Sequence, residues 1–250
     1  MTRIGLLSDT HGLLDPRIFE HFDSCDEIWH AGDIGSAELL QRLREFRPTR
    51  AVFGNMDSGD VRYSLSEFYR FRVEDVNVLM THIGGYPGHY NPWLIPWFKK
   101  SLEAKQALQN AQINAPNVQI NAQMVHAPYG EADRSSETRK EMVHDQIVNA
   151  PMVNAPMVNA QMVHDQMVNA PYGEADRSSE TRKEMVNVID LFVCGHSHIL
   201  KVQYDPLWKM LTLNPGAAGK QGWQTVQTLL RFTIDAARID NLEVIELSRS

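Results

Sequence analysis

The chain has 250 residues, 43% of them hydrophobic and 22% charged, which gives room for one large α/β domain or two small ones. Its net charge of −7 argues against a protein that coats nucleic acid, a task needing Lys and Arg to neutralise phosphates. A small phosphorylated substrate stays compatible with it, whereas a long nucleic acid is not expected. No run approaches the ~18 apolar residues of a membrane span, and the opening "MTRIGLLSDTHG" lacks a leader-like apolar core, so no membrane partner is expected. Cys25 and Cys194 make no disulfide framework and fit reduced thiols in a cytoplasmic protein.

In chain order, "RIGLLS" reads as a strand and "LDPRIFEHF" as a short helix with Pro16 in its first turn, where a missing N–H does no harm. "EIWHAG" is a second strand. In "SAELLQRLREF", Leu39, Leu40, Leu43 and Phe46 share one helical face. "RAVFGN" is a third strand, and "FYRFRVEDVNVLMTH" reads as two strands joined by a tight acidic turn. This β-α-β-α-β order predicts a parallel sheet with helices packed on it. At the other end, "ILKVQY", "KMLTLN", "VQTLLRFTI" and "NLEVIELS" read as consecutive strands of a mostly antiparallel sheet. The expected class is α/β, with two facing mixed sheets flanked by helices.

The middle breaks the pattern. Met142–Pro171 reads "MVHDQ IVNAP MVNAP MVNAQ MVHDQ MVNAP", and "APYGEADRSSETRKEMV" occurs at both Ala127–Val143 and Ala170–Val186. A period of 5 matches neither the helical 3.6 nor the strand period of 2, so it buries no continuous face. Recurrent prolines would break a helix. Residues 113–186 are therefore expected to be a repetitive insert in a single domain spanning 1–250.

Five apolar runs end in residues of metal-ligand type. "IGLLSDTH" delivers Asp9 and His11, "EIWHAGD" Asp33, "RAVFGN" Asn55, "VNVLMTH" His82, and "IDLFVCGHSH" His196 and His198. In an open α/β sheet the carboxyl ends of the strands share one edge, where ligand sites form. Singly, each motif is common; together and in this order they predict convergence. Mixed carboxylate, imidazole and amide donors suit borderline divalent ions, Mn²⁺ first, with Fe²⁺, Zn²⁺ or Ni²⁺ as alternatives. Seven donors exceed what one ion with an open position takes, and fit two ions ~3.5–4 Å apart bridged by a carboxylate.

The blocks "SDTHG", "HAGDIG", "FGNMD", "THIGG" and "CGHSH" resemble the five signature blocks of calcineurin-like metallophosphoesterases, nearest their small bacterial and archaeal phosphodiesterase branch. The resemblance covers Met1–Pro92 and Val188–Ser250, including "LTLNPGAAGKQG". It implies a four-layer sandwich, with Asp9, His11, Asp33 and His198 on one ion. Asp33 would bridge to a second ion held by Asn55, His82 and His196. The implied activity is phosphodiester hydrolysis, favoured over monoester hydrolysis, by a hydroxide bridging the ions, with Asp33, Asn55 and His82 as candidate catalytic residues. Many relatives carry a leaving-group histidine where this chain has Met56, and a thioether cannot donate a proton. His89 is a candidate substitute, with a water-facing loop histidine as the alternative. Asp57 is a candidate to orient a neighbouring ligand, with a plain turn carboxylate as the alternative. A non-catalytic scaffold or interaction module on the same fold, resembling the retromer subunit, is the competing class. Homo-oligomerisation stays open.

Overall fold

The computed structural model describes residues 1–110, 119–120, 187–222 and 225–249. The first sheet is built on β1 (Thr2–Leu7), β2 (Glu27–His30) and β3 (Thr49–Ala51), which run parallel as the alternating order predicts. Its helices are α1 (Arg17–Phe22), α2 (Ala37–Phe46) and α3 (Gly59–Ser64). Pro16 stands at the N-cap of α1, and the Ser36 hydroxyl caps α2 by accepting from the Leu39 amide at 3.2 Å. The second sheet begins with β4 (Phe68–Val73) and β5 (Val76–Thr81), an antiparallel hairpin across the acidic turn. A two-strand ribbon follows, β6 (Gly85–Tyr86) with β7 (His89–Tyr90), and then α4 (Ile95–Asn110). After β8 (Gln119–Ile120) come β9 (Leu191–Val193), β10 (Leu200–Asp205), β11 (Met210–Pro215), β12 (Val226–Asp235) and β13 (Arg238–Ser248).

The strand orders are β3-β2-β1-β12-β13-β8 and β10-β11-β9-β5-β4. The four C-terminal strands, expected to form one antiparallel sheet, divide instead: β10 and β11 join the second sheet, while β12 and β13 complete the first. The reason is that β12 pairs antiparallel with β1, which leaves β11 to lie parallel to β9.

The sheets face each other across a core in which Ile4, Leu6, Trp29 and Phe232 of one meet Phe71, Val78, Met80, Val193 and Leu213 of the other. Trp29 binds the layers, with its ring edge-on to Phe71 at 4.9 Å and to Phe232 at 5.6 Å. On the outer face of the first sheet, Ile18, Phe22, Leu39, Leu40 and Leu43 of α1 and α2 pack on Leu7, Ile28, Leu229 and Ile245. Burying each such side chain contributes roughly 1.5–3 kcal/mol. On the outer face of the second, Phe98 of α4 meets Phe192 at 5.3 Å. The result is the four-layer sandwich, helices–sheet–sheet–helix.

Two features of this frame were not foreseen: α4 with the ribbon before it, and the lock that joins α4 to β9. Lys105 donates to the Ile189 carbonyl at 2.6 Å, and the Ile189 amide donates to the Ser101 hydroxyl at 2.8 Å. Ala104, Leu108 and Val188 form a small apolar cluster beside them. Within the stretch read as an insert, Gln119–Ile120 form β8, parallel to β13, and the repeats lie outside the described residues. Because the α4–β9 lock closes on both sides of that stretch, replacing 113–186 by a flexible linker of about ten residues should leave a cooperatively folding protein, since loop-closure cost changes only logarithmically with length. Circular dichroism and urea unfolding check this; a deletion product that fails to fold would show that the stretch is part of the core.

Candidate metal centre

The carboxyl ends of β1, β2, β5 and β9 meet at one edge of the sandwich, and the chain leaves each of them in a tight turn. Five of the seven predicted ligands there adopt left-handed backbone: Asp9 (φ 55°), His11 (47°), Asp33 (53°), His196 (68°) and His198 (55°). Asp and His tolerate this region better than most side chains. The turns are pinned to one another, the Asp9 amide donating to the Gly32 carbonyl and the His11 amide to that of Asp33, both at 2.9 Å. Two glycines make the approach feasible by lacking a side chain. A Cβ at Gly54 would sit 2.1 Å from Asp33 Oδ1, and one at Gly195 would sit 2.0 Å from Ser8 Oγ.

Asp9, Asp33 and His82 are almost wholly buried, at 0%, 2% and 1% exposure. His82 Nε2 lies 3.2 Å from Asp33 Oδ2 and 3.8 Å from Asp9 Oδ1, and His198 Nε2 lies 3.1 Å from Asp9 Oδ1. His11 Nε2 is 3.2 Å from His198 Nε2. Two groups result, Asp9–His11–His198 and Asp9–Asp33–His82, each with its ligand atoms within 4.8 Å of one another. Asp9 thus belongs to both groups, whereas the bridging role read from the sequence was that of Asp33. Asp33 Oδ2 nevertheless lies 3.9 Å from His11 Nε2 as well as 3.2 Å from His82 Nε2, so it too faces both sides. Its other oxygen, Oδ1, is taken by the Met56 amide at 2.8 Å.

The donors fit a cation. Among the described residues, Asp9 Oδ1 and His82 Nε2 are buried without a hydrogen-bond partner, and orphaned buried polar atoms are rare in folded proteins. His82 Nδ1 meets the Ala31 carbonyl at 2.8 Å, so this nitrogen carries the proton and the Nε2 lone pair points into the site. Burial opposes charge on His82, but the Asp33 carboxylate and the Asp9 charge outweigh it and raise its pKa without a metal. Asp33 is lowered: burial resists its ionisation, yet the hydrogen bond and charge of His82 prevail. An ion bound there competes with a proton for the His82 Nε2 lone pair.

The remaining predicted residues fall around this centre. His196 is solvent-facing, with its ring 5.3 Å from that of His82, and its amide donates to Asp9 Oδ2 at 3.2 Å. Asn55 is exposed beside Met56, which is 64% exposed at the mouth. Asp57 is buried and accepts from the amides of Gly54 (2.8 Å) and Gly35 (2.7 Å), bracing the Asp33 turn against the Asn55 turn. His89 sits exposed on the β6–β7 ribbon, 4.9 Å from the Tyr86 ring.

Sequence reading missed the braces beneath the ligands. The Gly32 amide donates to His30 Nδ1 at 3.2 Å, so His30 Nε2 carries the hydrogen and donates to Thr10 Oγ1 at 2.9 Å. Thr10 in turn donates to the Ile34 carbonyl at 3.0 Å. Thr10 lies between Asp9 and His11, so this chain fixes the first ligand turn from below. Asn214 plays the same part for "CGHSH", donating to the Gly195 carbonyl at 2.8 Å. The only available signal for both was a polar residue inside an otherwise apolar strand.

A model of the calcineurin-like phosphoesterase superfamily domain matches residues 2–115 and 107–237. The chain belongs to this superfamily. A probable metallophosphoesterase of Methanothermobacter thermautotrophicus is 34% identical over 92 residues, 34% of this chain and 51% of that protein. Another, of Methanocaldococcus jannaschii, is 39% identical over 59 residues, 22% of this chain and 31% of that one. The chain thus spans about half, or less, of the curated relatives it matches. Among solved structures, an archaeal phosphodiesterase aligns at TM-score 0.49 and 14% identity over 98% of this chain and 99% of that one. Vps29 from Entamoeba histolytica aligns at 0.44 and 11% over the same shares. No helix among the described residues is long and apolar enough to cross a membrane.

Two measurements probe the centre. Asp9→Asn keeps a residue suited to left-handed backbone while removing charge common to both groups, and elemental analysis after loading with Mn²⁺ should show loss of all bound ion. Full occupancy in the variant would refute a shared Asp9. The second concerns His30, whose burial pushes its pKa down to about 4 from an ordinary 6.5. A depressed folded pKa means the fold favours neutral His30, so this stability is present above about pH 6.5 and lost as pH falls toward 4. Between pH 7.5 and 4.5 the parent chain should lose about 2–3 kcal/mol more than His30→Gln in urea unfolding; parallel losses would show that His30 does not titrate this way.

Proposed function

We propose that this protein is a di-metal phosphodiesterase in which Asp9, His11, Asp33, Asn55, His82, His196 and His198 hold two divalent ions, Mn²⁺ foremost. The observation that carries the reading is the pair of orphaned buried atoms, Asp9 Oδ1 and His82 Nε2, at the contact of the two ligand groups. When bound, such ions supply positive charge to phosphoryl oxygens and acidify water from a pKa of ~15.7 toward ~7.

The chain's own residues do the positioning. The Met56 amide fixes Asp33 Oδ1, which leaves Oδ2 directed between His11 and His82. The Ala31 carbonyl fixes the tautomer of His82. The exposed rim of Asn55, Met56 and His196 is where a substrate would enter. At Met56 a thioether offers no proton to a departing alkoxide, so the reaction relies on leaving groups that depart unaided. Retention of all seven donor types favours catalysis over a scaffold role.

The test is a leaving-group series of aryl and alkyl phosphodiesters with Mn²⁺-loaded protein. Nitrophenyl diesters should be hydrolysed and unactivated alkyl diesters should be far slower. Met56→His should accelerate the poor substrates selectively, by about tenfold or more, because general acid assistance is typically worth ~10²–10⁴-fold. A shallow slope in both proteins would mean that another group, His89 foremost, already supplies the proton. Absence of hydrolysis across a metal and substrate panel would sink the enzymatic reading.

A further inference from the structure

Lys201 is the third residue after His198, and among the described residues it has no carboxylate within ion-pair reach. Its ammonium instead lies over the Tyr86 ring, 4.4 Å from the centroid, and the Tyr86 ring lies 4.9 Å from that of His89. Contact with a ring face holds an ammonium in place without neutralising it. Both sides of this cluster are tied to the metal-ligand turns. Lys201 pairs across β10–β11 with Asn214, whose amide donates to the Gly195 carbonyl (2.8 Å) and to Ser197 Oγ (3.1 Å) on either side of His196. The ribbon bearing Tyr86 leaves the sheet just after His82, and the Cys194 thiol donates to the Gly85 carbonyl at 3.3 Å. One step of the chain, ~3.8 Å, separates Gly85 from Tyr86. A positive charge is therefore held on rigid elements that are hydrogen-bonded to the turn bearing His196, and among the described residues no carboxylate pairs with it.

We propose that Lys201, positioned by Tyr86, forms a subsite for a second phosphate of the substrate, outside the one whose ester is cleaved. The inference rests on the phosphodiesterase reading and narrows it to substrates that carry a further phosphate, such as nucleoside bisphosphate esters. The Tyr86 hydroxyl and a His89 ring N–H are additional donors on the same ribbon.

Calorimetric titration of the full-length, Mn²⁺-loaded protein tests this without relying on turnover. Thymidine 3′,5′-bisphosphate should bind about five- to tenfold more tightly than thymidine 5′-monophosphate, and the difference should shrink with added salt. Lys201→Gln should bring the two nucleotides to equal affinity, while Lys201→Arg should keep the preference. Equal binding by the parent protein overturns the proposal, and so does a preference that survives in Lys201→Gln. If the preference follows Lys201 but no diester is hydrolysed, the subsite stands and the phosphodiesterase reading fails.

Discussion

Two carboxylates and an imidazole, Asp9, Asp33 and His82, are packed against one another almost wholly out of reach of solvent, and the rest of the molecule is arranged around that constraint. Like charges in a buried site repel, and unpaired ones cost far more than a surface pair gains. The protein meets this by committing one atom of each group to the backbone. Asp33 Oδ1 takes the Met56 amide, Asp9 Oδ2 takes the His196 amide, and His82 Nδ1 gives its proton to the Ala31 carbonyl. The atoms left over are those that face inward, and their charge suits a cation.

The sandwich is what allows that arrangement. Parallel strands β1, β2, β5 and β9 all end at one edge, so residues far apart in sequence arrive together. Trp29, wedged between Phe71 and Phe232, keeps the two sheets in register beneath the site. Buried polar braces then transmit the rigidity of the sheets to the turns: His30 through Thr10, Asp57 across two loops, and Asn214 under Gly195. In such sites the supporting contacts matter nearly as much as the ligands themselves.

Much of this was legible in the sequence, for a specific reason. Strand ends are marked by an apolar run that gives way to polar residues with a glycine close by, so Asp9, Asp33, His82 and His196 could each be placed at a strand terminus. Local pattern carries no information on which strand lies beside which, and the C-terminal strands were accordingly grouped in one sheet when they divide between two. Which carboxylate would bridge is likewise not written in local pattern, because Asp9 and Asp33 look alike in sequence and both face the two ligand groups. Asp57 was placed from the sequence, but His30 and Asn214 were invisible because a single histidine or asparagine in a strand has no spacing to betray it.

For a metal-binding site, the left-handed backbone at five of the seven candidate ligands carries a consequence for how it can change over time. Each such residue is held by two requirements at once, a donor atom and a backbone shape that β-branched side chains resist. Single replacements at Asp9 or His198 by valine or threonine would fail on conformation before chemistry was tried, whereas asparagine and glycine remain sterically open. Drift away from metal binding in this fold should therefore pass through asparagine or glycine at these turns, leaving a trace in the sequence of any descendant that has lost its ions.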